Sequence, residues 1–147
     1  MDARDGCGLV VLDRTTCLEL LSVPRVGCLA VTDQAMPVVL PVAYSLDSDR
    51  LVMRFASDSL LGRAAPNRVV GFAVFSGDLQ RFGGWSVSVT GFARPIAEPV
   101  GLVHRPQGPL GGWADGDDLW ITLSTERMTG RCLVPSRGTF STKVPTK

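Results

Sequence analysis

The sequence predicts a mostly β protein, a closed or nearly closed antiparallel barrel of about six or seven short strands with two or three short helices. Three observations predict it. The stretch Gly83–Pro95 alternates strictly, with Trp85, Val87 and Val89 on one face and Ser86, Ser88 and Thr90 on the other, the period-two pattern of a half-buried antiparallel strand. Several other short apolar runs are punctuated by Gly, Pro, Asp and Asn at turn spacing. Only two stretches, both short, carry helical signals.

Length and composition are consistent with one such domain. At 147 residues, 45% hydrophobic and 20% charged, the chain is long enough to bury a core without staples. Its net charge of +1 gives no global field for nucleic acid or an anionic membrane, and neither is expected as a partner. The only lysines are Lys143 and Lys147, so any anion contact in the body of the protein falls to arginine, backbone N–H groups or hydroxyls. The cysteines, Cys7, Cys17, Cys28 and Cys132, form no CxxC pair, and His104 is the only histidine. No zinc site is expected, and the thiols read as buried and reduced. The start, Met1-Asp2-Ala3-Arg4-Asp5, lacks the pattern of a signal peptide and no run approaches a membrane span, which together predict a cytoplasmic protein.

Along the chain, residues 1–12 form an extension and the domain runs from 13 to 134. Asp13 is the expected N-cap of a helix through Leu21, with Cys17, Leu18 and Leu21 sharing its packed face, Leu20 at the edge, and Pro24 beyond its end. Val26–Thr32 and Pro37–Tyr44 form a hairpin about Asp33-Gln34-Ala35-Met36. After the turn Asp47-Ser48-Asp49, the strand Arg50–Ala56 points Leu51, Met53 and Phe55 inward and Val52, Arg54 and Ala56 outward. A second helix is expected from Ser57 or Asp58 to about Ala65, stopped by Pro66, and a strand from Arg68 to Phe75. The loop Ser76–Phe82 precedes the alternating strand, whose regular pairing is expected to end at Pro95. The Pro- and Gly-rich passage Pro95–Gly116 offers at most one weak helical turn. Leu119–Leu123 and Met128–Val134, hinged at Ser124-Thr125-Glu126, complete the strands, and 135–147 reads as a flexible tail.

The inventory of reactive groups is thin. A Ser-His-Asp hydrolase would depend on His104, in a passage with no Gly-x-Ser-x-Gly elbow. No Gly-x-Gly-x-x-Gly or Walker loop is present. Asp115, Asp117 and Asp118 read as a solvated turn, and Trp85, Trp113 and Trp120 as core or interface mass. No catalytic side chain and no metal site stand out. What remains is chemistry carried by a bound ring, as in a flavin, with the protein holding and tuning it. The Ser86/Ser88 face would receive such a ring, and Arg54, Ser59 and Arg63 with the second helix are candidates for its phosphate. Solvated surface charge is the competing reading of both arginines.

The ordered series Pro41-Val42-Ala43-Tyr44, Leu51–Ala65 with Ser59, Asn67–Phe75, Gly84-Trp85-Ser86-Val87 with Gly91, and Thr122–Leu133 resembles the pyridoxamine 5′-phosphate oxidase-like superfamily, nearest its nitroimidazole-reductase-like branch. The likeness runs over roughly residues 10–135. It implies a split β-barrel of Greek-key type and a homodimer with FMN at the interface, the deazaflavin F420 being the alternative cofactor. It further implies an oxidoreductase acting on a small electrophile, nitroreductase-like or pyridoxamine-phosphate-oxidase-like. Carried over, Pro41, Val42, Tyr44, Arg54, Phe55 and Ala56 line the ring and ribityl chain, and Ser57 and Ser59 meet the phosphate. Arg63 stands one turn along, and Trp85 and Ser86 reach the flavin from the partner subunit. Leu60 stands where the family usually has lysine, Asp58 where it usually has glycine, and Phe75-Ser76 where it often has an acidic pair. The alternative is a dimeric, cofactor-free binding module that kept the barrel and lost the phosphate site.

Overall fold

The structure, a computed structural model, describes residues 9–78, 83–102, 105–106 and 118–133. Among these, nine strands form one antiparallel sheet. They are β1 (Val10–Leu12), β2 (Val26–Asp33), β3 (Met36–Asp47), β4 (Arg50–Ala56), β5 (Val69–Asp78), β6 (Gly83–Phe92), β7 (Arg94–Ile96), β8 (Asp118–Ser124) and β9 (Met128–Leu133). Two helices, α1 (Arg14–Leu21) and α2 (Leu60–Ala64), complete the described elements. The strand order is β1-β9-β6-β5-β2-β3-β4-β8-β7.

The connections curl this sheet. A single residue, Ala93, links β6 to β7, yet those strands stand third and last in the order. Strands so far apart in a flat sheet cannot share a one-residue link, so the two sides meet. Where they meet, β6 and β8 touch without pairing: a Cβ placed on Gly91 would lie 3.1 Å from Leu123 Cδ1. That unpaired seam is the split in a split barrel.

Turn chemistry sets the register. The β2–β3 hairpin has a two-residue loop, Gln34-Ala35, with both φ positive at 49° and 65°, the handedness that matches strand twist. The β3–β4 hairpin turns at Ser48 (φ 60°) and Asp49 with Asp47 opposite Arg50. Inside the curl, Leu29, Tyr44, Leu51, Met53, Phe72, Val87, Ile121 and Leu123 are all at most 2% exposed. Each such side chain contributes ~1.5–3 kcal/mol relative to exposure. Tyr44 and Phe72 meet edge to face at 4.9 Å, and the Tyr44 hydroxyl donates to the Leu21 carbonyl at 2.7 Å.

Helix α1 closes one end of the barrel. The Asp13 carboxylate accepts from the Thr16 N–H at 2.8 Å as its N-cap. Its buried residues are Cys17, Leu20 and Leu21, so Leu20 is core and Leu18 only half-buried, as spacings of three and four residues require. Arg14 donates to the carbonyl (2.6 Å) and hydroxyl (3.0 Å) of Thr125, and the Thr125 hydroxyl donates to the Asp49 carbonyl. This staple fixes the β8–β9 corner.

Several sequence expectations are corrected. Pro95 lies within β7, on a sheet edge, where a missing N–H is tolerated. Ser76–Asp78 continue β5, paired with Gly83–Trp85. Cys28 is exposed, because its strand turns it to the outer face. Asp118 opens β8 rather than occupying a solvated turn. Of the Pro- and Gly-rich passage, the described part contains strand β7 and no helical turn. Cys7, His104, Trp113 and the tail lie outside the described residues. No helix among the described residues is long and apolar enough to cross a membrane.

Candidate functional site

The registers place small side chains in one row on the outer face of the sheet. Thr129 pairs Ser88, Ser88 pairs Ala73, Ala73 pairs Cys28 and Cys28 pairs Pro41. Paired residues point to the same side, so five adjacent strands present Thr, Ser, Ala, Cys and Pro as a flat floor. Gly71 and Ala30, paired to each other, extend it. Around the floor, on the same face, stand Val26 (57% exposed), Val39 (62%), Val69 (68%) and Phe75 (58%). Their parity with Cys28, Pro41 and Ala73 along β2, β3 and β5 puts them there. Exposed apolar side chains gathered on one face make it a candidate contact surface.

At one side of the floor lies the corner of β3, β4 and α2. Ala43 pairs Arg54, and Arg54 pairs Trp120 of β8. The Arg54 guanidinium grips Asp118, its Nε 2.6 Å from Oδ2 and its Nη2 on the same oxygen. It also lies over the Trp120 ring, 5.4 Å from the centroid, with Arg105 5.2 Å from the same ring. Arg54 is therefore held and its charge compensated. No local signal near Arg54 points to this, since Asp118 is 64 residues away.

Helix α2 begins at Leu60 with Ser59 as N-cap, two residues later than Asp58. The Ser59 hydroxyl accepts from the Gly62 N–H at 3.1 Å and donates to the Ala56 carbonyl at 2.5 Å, so its proton is used. Gly62 is needed for this close fold: a Cβ there would lie 2.3 Å from the Ser57 carbonyl oxygen. Ser57 and Asp58 are exposed and Leu60 is half-buried against the core. Exposed Arg63 donates from Nη1 to the Asp58 carbonyl at 3.0 Å, leaving its other donors for an anion.

The sequence-derived site residues separate into groups. Pro41, Ala56, Ser57 and Arg63 reach the surface of the corner, while Arg54 and Ser59 are there but engaged. The side chains of Val42 (2% exposed), Tyr44 (1%) and Phe55 (2%) point into the core, so those positions face a ligand only through backbone. Burial holds the Tyr44 hydroxyl above its ordinary range, with Arg25 pulling the other way. Trp85 and Ser86 lie on β6: the Trp85 side chain, 9% exposed, packs with the core, and Ser86, paired with Phe75, faces outward. Beside them is a mostly apolar cavity of about 160 Å³ lined by Phe75, Gly84, Trp85, Ser86 and Cys132 among others. Among the described residues no group of three or more His, Cys, Asp or Glu is placed to hold a metal.

Comparison with known proteins agrees with this fold. The profile of the pyridoxamine 5′-phosphate oxidase family matches residues 13–132. The chain is 32% identical to the uncharacterized protein Rv0080 of Mycobacterium tuberculosis over 136 residues, covering 88% of this chain and 89% of that one. Among solved structures, an FAD binding protein from Mycobacterium smegmatis superposes with a TM-score of 0.66 at 23% identity, over 86% of this chain and 99% of that one. A putative 5-nitroimidazole antibiotic resistance protein from Bacteroides thetaiotaomicron superposes with a TM-score of 0.63 at 15% identity, covering 84% and 87%. These last two are similarities of fold.

Proposed function

From the premise that this chain belongs to the pyridoxamine 5′-phosphate oxidase family, we propose that it is a homodimeric flavin-dependent oxidoreductase. It takes FMN, with the deazaflavin F420 as the alternative, and reduces a small electrophile such as a nitro compound or a quinone. The observation that carries this reading is the outer face: a floor of small residues ringed by exposed Val26, Val39, Val69 and Phe75. A second copy covers that face, and a planar ring fits where only the side chains of Ser, Thr, Ala, Cys and Pro rise from the floor. The flavin binding of the Mycobacterium smegmatis neighbour is the fold-level support.

The donor set of the corner suits such a ligand. Pro41, Ala56 and the backbone of β3 and β4 offer a smooth wall and amide groups for the ring edge. The exposed Ser57 hydroxyl and the free donors of Arg63 take the phosphate in place of the family lysine. Ser86 of the partner subunit closes the other side. A bound flavin supplies the hydride chemistry; the chain's part is to orient the ring, exclude water from its face and leave room for a substrate.

A cofactor-free binding module is the second reading, favoured by Leu60, by Asp58 and by the engagement of Arg54 with Asp118. Fluorescence titration separates the two. FMN, FAD or F420 emission should change on adding micromolar protein, and Arg63→Gln should weaken the binding of the phosphorylated flavins but not of riboflavin. If none of these cofactors responds, the flavin reading fails and the binding module remains.

A further inference from the structure

The seam where the barrel is split holds a second cavity, of about 360 Å³, far from the flavin corner along β4. Arg50, the first residue of that strand, lines it, whereas Arg54 and Ala56 at the other end border the corner. Its charge is lopsided: Arg50, Arg94 and Arg127 contribute to the wall against a single carboxylate, Glu126. In a chain whose net charge is only +1, this concentration is local. Arg50 is tied at the surface to Asp47 at 3.0 Å, while Arg94 and Arg127 make no side-chain ion pair or hydrogen bond among the described residues.

The positions are fixed by backbone. The Thr90 N–H donates to the Arg127 carbonyl at 3.0 Å, and the staple through Thr125 holds the corner from the other side. The Ala93 N–H donates to the Arg68 carbonyl at 2.8 Å, just before Arg94. Between the arginines, Gly91 and Phe92 give a flat apolar strip, and Thr90 adds a hydroxyl. Guanidinium groups set around a hollow repel one another until an anion enters, and their planar forks match phosphate or carboxylate oxygens. The volume falls at the small end of the range for small-molecule sites and exceeds what a single phosphate ion fills.

We propose that the β6–β8 seam is a binding site for a small molecule with two or more negative charges, carried on phosphate or clustered carboxylate groups, gripped by Arg94 and Arg127 with Arg50 at the rim. The site needs no flavin, although Thr90 and Phe92 pair Gly71 and Val69 and so border the face that a second copy would cover. It stands whether or not the outer face holds a cofactor.

Pyrophosphate and citrate are the probes, used with the full-length protein in calorimetric titrations and thermal melts at low and high salt. At least one of them binds wild type in the millimolar range or tighter, raises its melting temperature, and loses affinity as salt rises. Arg94→Gln/Arg127→Gln weakens that binding at least tenfold. Arg25→Glu, an equal change of charge at an exposed residue away from the seam, leaves it intact. The choice between the probes tells phosphate from carboxylate. Because both seam arginines are exposed and unpaired, the variant should fold, and its melting temperature without probe checks this. As a second readout, the bound probe shifts the backbone amide resonances of Thr90, Gly91 and Arg127 in wild type. The proposal is overturned if neither probe binds, if the Arg25 variant loses binding as much as the seam variant, or if those amides stay unmoved while others shift.

Discussion

The double substitution Asp58→Gly/Leu60→Lys tests the phosphate end of the proposed flavin site. As it stands, the corner offers a phosphate the exposed Ser57 hydroxyl and Arg63, with the Asp58 carboxylate nearby and the Ser59 proton spent on the Ala56 carbonyl. A lysine at position 60 adds a charge-assisted contact of ~1.5–3 kcal/mol. Removing an exposed carboxylate some way from a phosphate adds about 0.5–1 kcal/mol after screening by solvent and salt. Together these tighten binding by roughly 2–4 kcal/mol, or about 30- to 1,000-fold in Kd. The structural cost is small. Arg63 bonds the backbone carbonyl of Asp58, which glycine keeps, and a lysine stem covers much of the surface that half-buried Leu60 covers now. Fluorescence titrations of wild type and variant with FMN and riboflavin supply the assay. FMN affinity should rise within that range and become more salt-sensitive, while riboflavin affinity stays put. A folded variant that binds FMN no better than wild type, or gains equally for riboflavin, refutes the assignment of this corner to the phosphate.

Other outcomes follow from the same contacts. Tyr44→Phe removes the 2.7 Å bond to the Leu21 carbonyl and should cost about 1–2 kcal/mol in denaturant titrations; because the ring faces the core, flavin affinity should not change. Thr125→Val removes the hydroxyl shared by Arg14 and Asp49 and leaves a part-buried hydrogen-bonding position unfilled, which should cost ~1–2 kcal/mol and lower the melting temperature by roughly 2–8 °C. Asp13→Ala removes the cap of α1. The N–H of Thr16 holds the Asp13 carboxyl below its ordinary range, so the cap's contribution is complete above the unfolded-state pKa and disappears as pH falls through the lower folded-state pKa. The melting-temperature gap between wild type and this variant should therefore be open at neutral pH and close in acid; a gap of constant size would remove the carboxylate from the account.

Much of the fold was legible because its signals are local. The alternation of β6, the span Arg50–Ala56 of β4 and the cap at Asp13 follow from period, turn residues and capping chemistry within a few positions of each element. What escaped depended on distant partners. Strands β1 and β7 are three residues each, too short to show a period, and exist through pairing with β9 and β8. The extension of β5 through Ser76–Asp78 looks like a loop until Gly83–Trp85 lies beside it. At the site, Arg54 was recognisable as an outward cation on a strand, but its use was decided by Asp118 and Trp120 of β8. Val42, Tyr44 and Phe55 came from motif position, which does not say whether side chain or backbone faces the ligand. The seam arginines come from β4, from β7 and from the corner after β8, and no sequence window contains more than one of them.

The proposed function requires two copies to meet on the small-residue outer face and hold a flavin there. The most direct measurement is the absorption spectrum of the protein across its gel-filtration peak, as purified and after incubation with FMN or F420. The expected result is a species of dimer size whose flavin or deazaflavin absorption co-elutes with protein at close to one cofactor per chain. A monomer at every concentration, or a dimer that stays colourless after incubation with either cofactor, would contradict it.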